Sequence, residues 1–363
     1  MSAEEREPYV SRLARLQGGL VAVHNAGTQV AHVSTGLQAP VLGEVEVPAY
    51  GAFVRALENH GFRVLGVEFY EHAQQLNGVQ PSNWRAFCPG MGWLVHDAIS
   101  DWAERSTCAY QEGDRQFGTL AAHVAFGLRA AEERLRQAAL SYSTQLRGRQ
   151  LQQDLQRFAI FEDLNSLPVT LAIHAMFYDL ASVRDTIAQF LVRYVFQIEE
   201  PPKRQATWDM AKLAEELRSP HRPANPEWRT ILLHASDNRS SPPGWLAQLA
   251  RYRNQFMHNA PVHFARRTKG AVQEMQAFGA LGDLPLLYHP LPPLSDGEPR
   301  TSTGEPCVRP RRSTEPDALE YLSTALLHLA SLSLGASSKA PYERMVLNLT
   351  DADIIGPIRI IRR

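Results

Sequence analysis

Cysteine is scarce: the 363 residues include three, Cys88, Cys108 and Cys307, in no metal-ligand or redox spacing. That scarcity argues against a disulfide scaffold and suits a reducing compartment where thiols are buried and idle. Surplus charge is missing as well, with 37 Lys and Arg against 38 Asp and Glu. No overall positive field draws in nucleic acid, so any RNA contact has to come from a local basic patch. No run of 18 apolar residues occurs, and the opening MSAEEREPYV carries acidic residues where a secretory signal would be positive. These absences predict a cytoplasmic protein with no membrane partner. There is no P-loop, no G-x-S-x-G elbow, no dinucleotide fingerprint and no internal repeat, so no cofactor is expected.

What is present is ordinary globular composition, 44% hydrophobic and 21% charged, enough for one large domain or two moderate ones. Strand signals concentrate in residues 1–112, with runs at Gly19–His24, Gln29–Val33 and Phe62–Tyr70 around a helical pattern at Tyr50–Asn59. That region reads as an α+β N-terminal domain with a sensing, regulatory or partner-binding role. From Leu76 to Asp114 the chain is rich in Gly, Pro and Trp without a clean period, which predicts irregular structure with short helices.

Residues 113–340 read as a helical domain. Leu120, Val124, Leu128, Ala131, Leu135 and Ala138 recur at helical spacing in a segment from Thr119 to about Phe161, with a kink expected near Gly148. After Asn165-Ser166-Leu167-Pro168 a second helix is expected from Val169 to Gln197, ended by Pro201 and Pro202. Shorter helices follow at Trp208–Arg218 and Glu227–Ala235, then Gly244–His258, a Pro-rich loop at 289–316, and a last helix from Asp317 to Leu334. The tail, 341–363, holds a strand at Ile354–Ile361 that could return to the N-terminal sheet.

The helix Gly244–His258 carries the most informative residues. On a wheel of about 100° per residue, Trp245, Leu249, Tyr252 and Phe256 form one apolar stripe facing the core. Asn254 and His258 lie four residues apart on a second, mildly apolar face with Ala250 and Met257, so the helix is expected to meet two partners. Arg253 falls roughly 40° from Leu249 at the edge of the core stripe, where a permanently charged guanidinium needs an anion. His258 sits in the last turn, where the helix dipole favours the imidazolium. A fixed cation beside a titratable imidazole suits phosphodiester cleavage, in which charge builds on phosphoryl oxygens while protons move between sugar oxygens.

The run Arg253-Asn254-Gln255-Phe256-Met257-His258 resembles the R-N-x-x-x-H form of the HEPN motif, and the helical pattern around it resembles a HEPN bundle over roughly 220 residues. The resemblance implies a fold that is mainly α, a HEPN-like helical bundle with a smaller N-terminal α+β domain. It also implies a homodimer whose two motifs line one cleft and cut RNA without metal, through the 2′-hydroxyl. Arg253 and His258 would be the catalytic pair, with Asn254 orienting His258 or the helix end. Family members often add an acidic residue from an earlier helix; Asp179 and Asp185 are the candidates, and spacing does not choose between them. A bacterial toxin or anti-phage effector is the implied setting, with an antitoxin or regulatory protein as a further partner. Ala260 stands where nucleotidyltransferase-controlled HEPN toxins commonly carry a Tyr, which puts control by tyrosine modification in doubt.

Arg251, His263, Arg266, Arg267 and Lys269 surround the motif and supply a local RNA-binding patch. The competing reading is a non-catalytic interaction protein that dimerises or binds RNA without cutting, and the basic cluster could equally be a solvated loop. No metal is expected: His258 and His263 are separated by the helix-breaking Pro261, with no acidic or Cys ligand adjoining. Trp84, Trp93 and Trp102 read as core residues rather than base-stacking platforms.

Overall fold

The computed structural model describes residues 11–25, 27–71, 81–151, 160–198, 208–219, 225–240, 242–258, 271–291 and 316–343. The chain first builds a sheet from strands β1 (Ser11–Leu16), β2 (Val21–Asn25), β3 (Val30–Ser34), β4 (Gly43–Glu46), β5 (Val64–Tyr70) and β6 (Asn83–Ala86), with helix α1 (Phe53–Asn59) between β4 and β5. The order across the sheet is β4-β3-β2-β1-β5-β6, antiparallel at every pairing. β1 is therefore central, with Leu13 opposite Val23 on one side and Glu68 on the other.

β1 is buried along its whole length although two of its six residues are arginines. Arg15 is tolerated because it makes bidentate hydrogen bonds to the fully buried Glu68, at 3.0 to 3.2 Å. Such fork-to-carboxylate pairing offsets the cost of desolvating both charges. Arg12 instead donates to the Tyr50 carbonyl at 2.6 Å and lies 3.5 Å over the Tyr50 ring, a cation–π contact.

A long helical layer follows: α2 (Leu94–Gln111), α3 (Arg115–Gln150) and α4 (Ser166–Phe190), the last running on into a π-helical turn at Leu191–Val195. Asp114 caps α3 by accepting from the Phe117 amide at 3.0 Å. α5 (Met210–Arg218) and α6 (Pro226–Ala235) carry Asp209 and Asn225 as side-chain caps, and α6 places Pro226 in its first turn. α7 (Trp245–His258) and α8 (Ala318–Ser337) complete the helices among the described residues, Asp317 capping α8 through Leu319 and Glu320. A second antiparallel sheet pairs β7 (Ile160–Phe161), between α3 and α4, with β8 (Ala271–Ala277) and β9 (Asp283–Tyr288), between α7 and α8.

The architecture corrects the expected one. The chain is mainly helical, but a HEPN-like bundle behind a smaller N-terminal α+β domain is not what forms. Six strands rather than three make the first sheet, a second sheet sits within the helical region, and one hydrophobic cluster runs from Ala14 in β1 to Ala336 in α8. The turn between β1 and β2 shows how sheet and helices are joined. Gly18 (φ 62°) and Gly19 (φ 86°) are left-handed, and added Cβ atoms would lie 2.6 Å from Leu286 of β9 and 2.8 Å from the Tyr142 backbone of α3. Only glycine permits both the conformation and that approach. The expectation of irregular structure from Leu76 to Asp114 also fails in part, since α2 spans 18 residues and buries Val95, Ile99 and Trp102 at helical spacing. That burial agrees with a core role for Trp102.

The helical expectations at Val169, Trp208, Glu227, Gly244 and Asp317 match α4 to α8 within a few residues. Ser166–Val195 is long and apolar enough to cross a bilayer by length and composition, and 56% of that window is buried inside the fold. The expected helical continuation over 152–159, the loop interior at 292–315 and the tail strand at Ile354–Ile361 lie outside the described residues.

Candidate functional site

α7 starts under constraint. Gly244 donates its amide to the Asp237 carbonyl at 2.8 Å, and a Cβ on it would lie 2.3 Å from the Ala235 carbonyl oxygen, so the helix begins pressed against the end of α6. From there the apolar stripe forms as the wheel requires: Leu249 and Tyr252 are buried, Trp245 is partly buried, and Leu246 joins them. Tyr252 anchors the C-terminal half, its ring centroid 5.9 Å from Phe177 of α4 and 4.9 Å from Tyr321 of α8. Burial pushes the Tyr252 hydroxyl up to about 12, so it stays protonated.

The next residue, Arg253, is half-buried at the edge of that stripe. Its Nη1 donates to the Asn254 Oδ1 at 3.0 Å, while its buried Nε has no hydrogen-bond partner. Neither expected acid is beside it. Asp179 lies 3.4 Å from Arg134 of α3, and Asp185 forks with Arg184 and accepts from the Met210 amide at 3.3 Å. No ion pair to Arg253 occurs among the described residues. Among the described residues the half-buried guanidinium therefore has no carboxylate beside it.

His258 closes α7, four residues beyond Asn254 and hence on the same helical face. The side chains of Phe256, Met257 and His258 lie outside the described residues, as do His263, Arg266, Arg267 and Lys269. Arg251 is engaged at the surface. Its Nε and Nη2 donate to the Asn238 side chain and carbonyl, both at 3.0 Å, tying α7 to the loop after α6.

Two buried carboxyls with shifted titration stand apart from α7. Burial pushes Asp317 up to about 7, yet its oxygens already accept from Tyr142, His289, Leu319 and Glu320, which makes it a structural cap. Glu132 of α3 is likewise raised by burial to about 7 and accepts from the Ala86 amide at 2.8 Å, holding β6 to the helix. Among the described residues no three His, Cys, Asp or Glu side chains gather as a metal-ligand set.

Sequence reasoning missed a feature on the other side of α7. A cleft of about 290 Å³ lies between α7 and α8, lined by Trp245 and Gln248 from one helix and Glu320, Tyr321, Thr324 and His328 from the other. Arg63, just ahead of β5, closes it. Only Trp245 and Gln248 are near the motif in sequence, so spacing could not have gathered the rest. Comparison with protein-family profiles, curated protein sequences and solved structures returns no match.

Proposed function

We propose that the chain is a metal-independent endoribonuclease that cuts RNA at the C-terminal turn of α7, with Arg253 and His258 as the catalytic pair. The observation that carries this reading is the half-buried Arg253 guanidinium, whose Nε has no partner and which no described carboxylate neutralises. A phosphodiester oxygen supplies the missing anion, and the planar fork suits the charge that spreads over a pentacoordinate phosphorus. The resemblance of Arg253–His258 to the HEPN motif supports the same assignment; the reading needs that motif and its local geometry, not a HEPN bundle.

The reaction balances without a co-reactant. The 2′-oxygen attacks phosphorus, its proton leaves to a base, the P–O5′ bond breaks, and the 5′-oxygen takes a proton. The products are a 2′,3′-cyclic phosphate and a 5′-hydroxyl. His258 moves protons at one end of this transfer, Asn254 holds Nη1 of Arg253 in place, and a second copy of the chain meets the Asn254 and His258 face so that two motifs share one cleft.

The test is incubation of the purified chain with single-stranded RNA in EDTA, beside Arg253→Ala and His258→Ala proteins checked for unchanged melting. The reading expects cleavage by wild type alone. RNA bound but left intact by wild type would move the site to the class of non-catalytic RNA-binding proteins.

A further inference from the structure

The cleft between α7 and α8 has a chemistry of its own. We propose that it seats one unpaired guanine base of an RNA strand; the RNA context rests on the ribonuclease reading, whereas the base chemistry does not. At about 290 Å³ the space is at the lower end of the range for small-molecule sites. That space is of the order of one nucleobase with part of its sugar. Trp245, whose ring packs on His328, and Tyr321, whose ring packs on Phe177 and Tyr252, line the cleft with aromatic surface of the kind on which any base can stack.

The polar groups select among bases. Arg63 is fixed by Nη2, which donates to Thr324 Oγ1 at 2.6 Å and to the Glu320 carbonyl at 3.3 Å. Its Nη1 is 3.7 Å from the Glu320 carboxylate, beyond hydrogen-bond length. Glu320 is mostly buried, and among the described residues its carboxylate is ion-paired with Arg63 but accepts no hydrogen bond. Gln248 gives its Nε2 to the Pro243 carbonyl at 2.6 Å, which orients the amide, and among the described residues its Oε1 accepts no hydrogen bond.

The cleft therefore offers a carboxylate that can accept from two donors, next to a guanidinium that can serve an acceptor. Guanine presents that pattern: N1–H and N2–H side by side for a carboxylate, with O6 and N7 as acceptors for an arginine. Adenine, cytosine and uracil each place an acceptor lone pair where the carboxylate would lie, which costs the unmade hydrogen bond and adds repulsion. The cleft also has a route to the motif. Tyr321 packs on Tyr252, the residue before Arg253, and Gln248 to Arg253 is about 7.5 Å along the helix axis. A guanosine seated here hands its phosphate chain toward the motif turn, so cleavage is directed next to an unpaired guanosine.

The experiment titrates guanosine 3′-monophosphate and its adenosine, cytidine and uridine counterparts into the full chain in EDTA, followed by calorimetry. The guanine nucleotide is expected to bind about tenfold or more tightly than the others, and Glu320→Gln to remove most of that preference. Gln248→Ala, which leaves the Arg63 anchor intact, is expected to weaken guanine binding by about threefold and serves if Glu320→Gln alters folding. Equal binding of the four, or a preference that both variants keep, overturns the proposal. An oligoribonucleotide with one unpaired guanosine should compete about tenfold better than guanosine diphosphate; the reverse order reassigns the cleft to a free nucleotide. Guanine-selective binding by a chain that never cuts RNA would uphold the cleft and sink the ribonuclease reading. Cleavage without guanosine preference, unchanged by Glu320→Gln, would do the opposite.

Discussion

Asp179 lies 3.4 Å from Arg134, one helix away in α3, and not against Arg253. Burial raises the Asp179 carboxyl and the Arg134 charge opposes that rise. The ion pair therefore belongs to the packing of α3 on α4. Asp179→Asn is expected to cost less than about 1 kcal/mol in chemical denaturation, since both partners keep solvent contact. RNA cleavage by that variant should stay within about twofold of wild type. A loss of cleavage as deep as that of Arg253→Ala would return Asp179 to the site.

Glu132 sets a pH dependence of stability. Its folded-state pKa of about 7 lies above the ordinary carboxylate value because it is buried against β6. The folded state thus holds the proton more tightly than the unfolded one. Its stabilisation is complete below about pH 4.5 and is lost as the pH rises through 7. Glu132→Gln keeps an acceptor for the Ala86 amide and removes the titration. Relative to the variant, wild type should lose on the order of 2–3 kcal/mol between pH 5 and 8, measured by urea denaturation at each pH. Parallel curves for the two proteins would show that Glu132 does not titrate in this range.

Gly66 of β5 should tolerate no side chain. A Cβ there would come 2.3 Å from the Trp84 ring and 2.6 Å from the Arg85 carbonyl oxygen. The ring is itself pinned by its Nε1–H donated to the Glu132 carbonyl at 3.1 Å. Gly66→Ala is expected to destabilise by about 1–3 kcal/mol through overpacking, seen as a lower melting temperature with unchanged product chemistry. An unshifted melting curve would contradict the packing described at the β5–β6 edge.

Expression in bacteria offers a cellular check. An unrestrained ribonuclease slows growth, so wild type should arrest the host and His258→Ala should relieve the arrest. Equal harm from both proteins would detach toxicity from the α7 motif.

Part of this structure is legible in sequence, and the reason differs by element. α7 is legible because its apolar stripe repeats at helical spacing and Pro242 and Pro243 mark its start. β1 is not, because Arg12 and Arg15 break the expected alternation and are compensated by groups far along the chain: Glu68 is 53 residues from Arg15. α2 is obscured by flanking Gly, Pro and Trp residues, although Val95, Ile99 and Trp102 do repeat at helical spacing. The second sheet is hidden because β7 has two residues and pairs with β8 more than a hundred positions later. At the site, periodicity places Arg253 at the edge of the core stripe, as observed. It could not reveal that Asp179 and Asp185 are engaged by Arg134 and Arg184, nor that Arg63 meets Thr324 across 261 residues.

The central claim is that Arg253 and His258 cut RNA through its own 2′-hydroxyl, and end-group analysis of cleavage products formed in EDTA tests it most directly. An Arg and a His can stabilise the phosphorane and move protons, so wild type should leave 2′,3′-cyclic phosphates and 5′-hydroxyls. A matched oligonucleotide with a 2′-deoxy residue at the cut position should bind and stay whole, and Arg253→Lys should fail because a point charge replaces a planar fork. Products with 5′-phosphate ends, or cleavage that stops in EDTA and returns with magnesium, would place the chemistry elsewhere and leave Arg253–His258 a structural feature of α7.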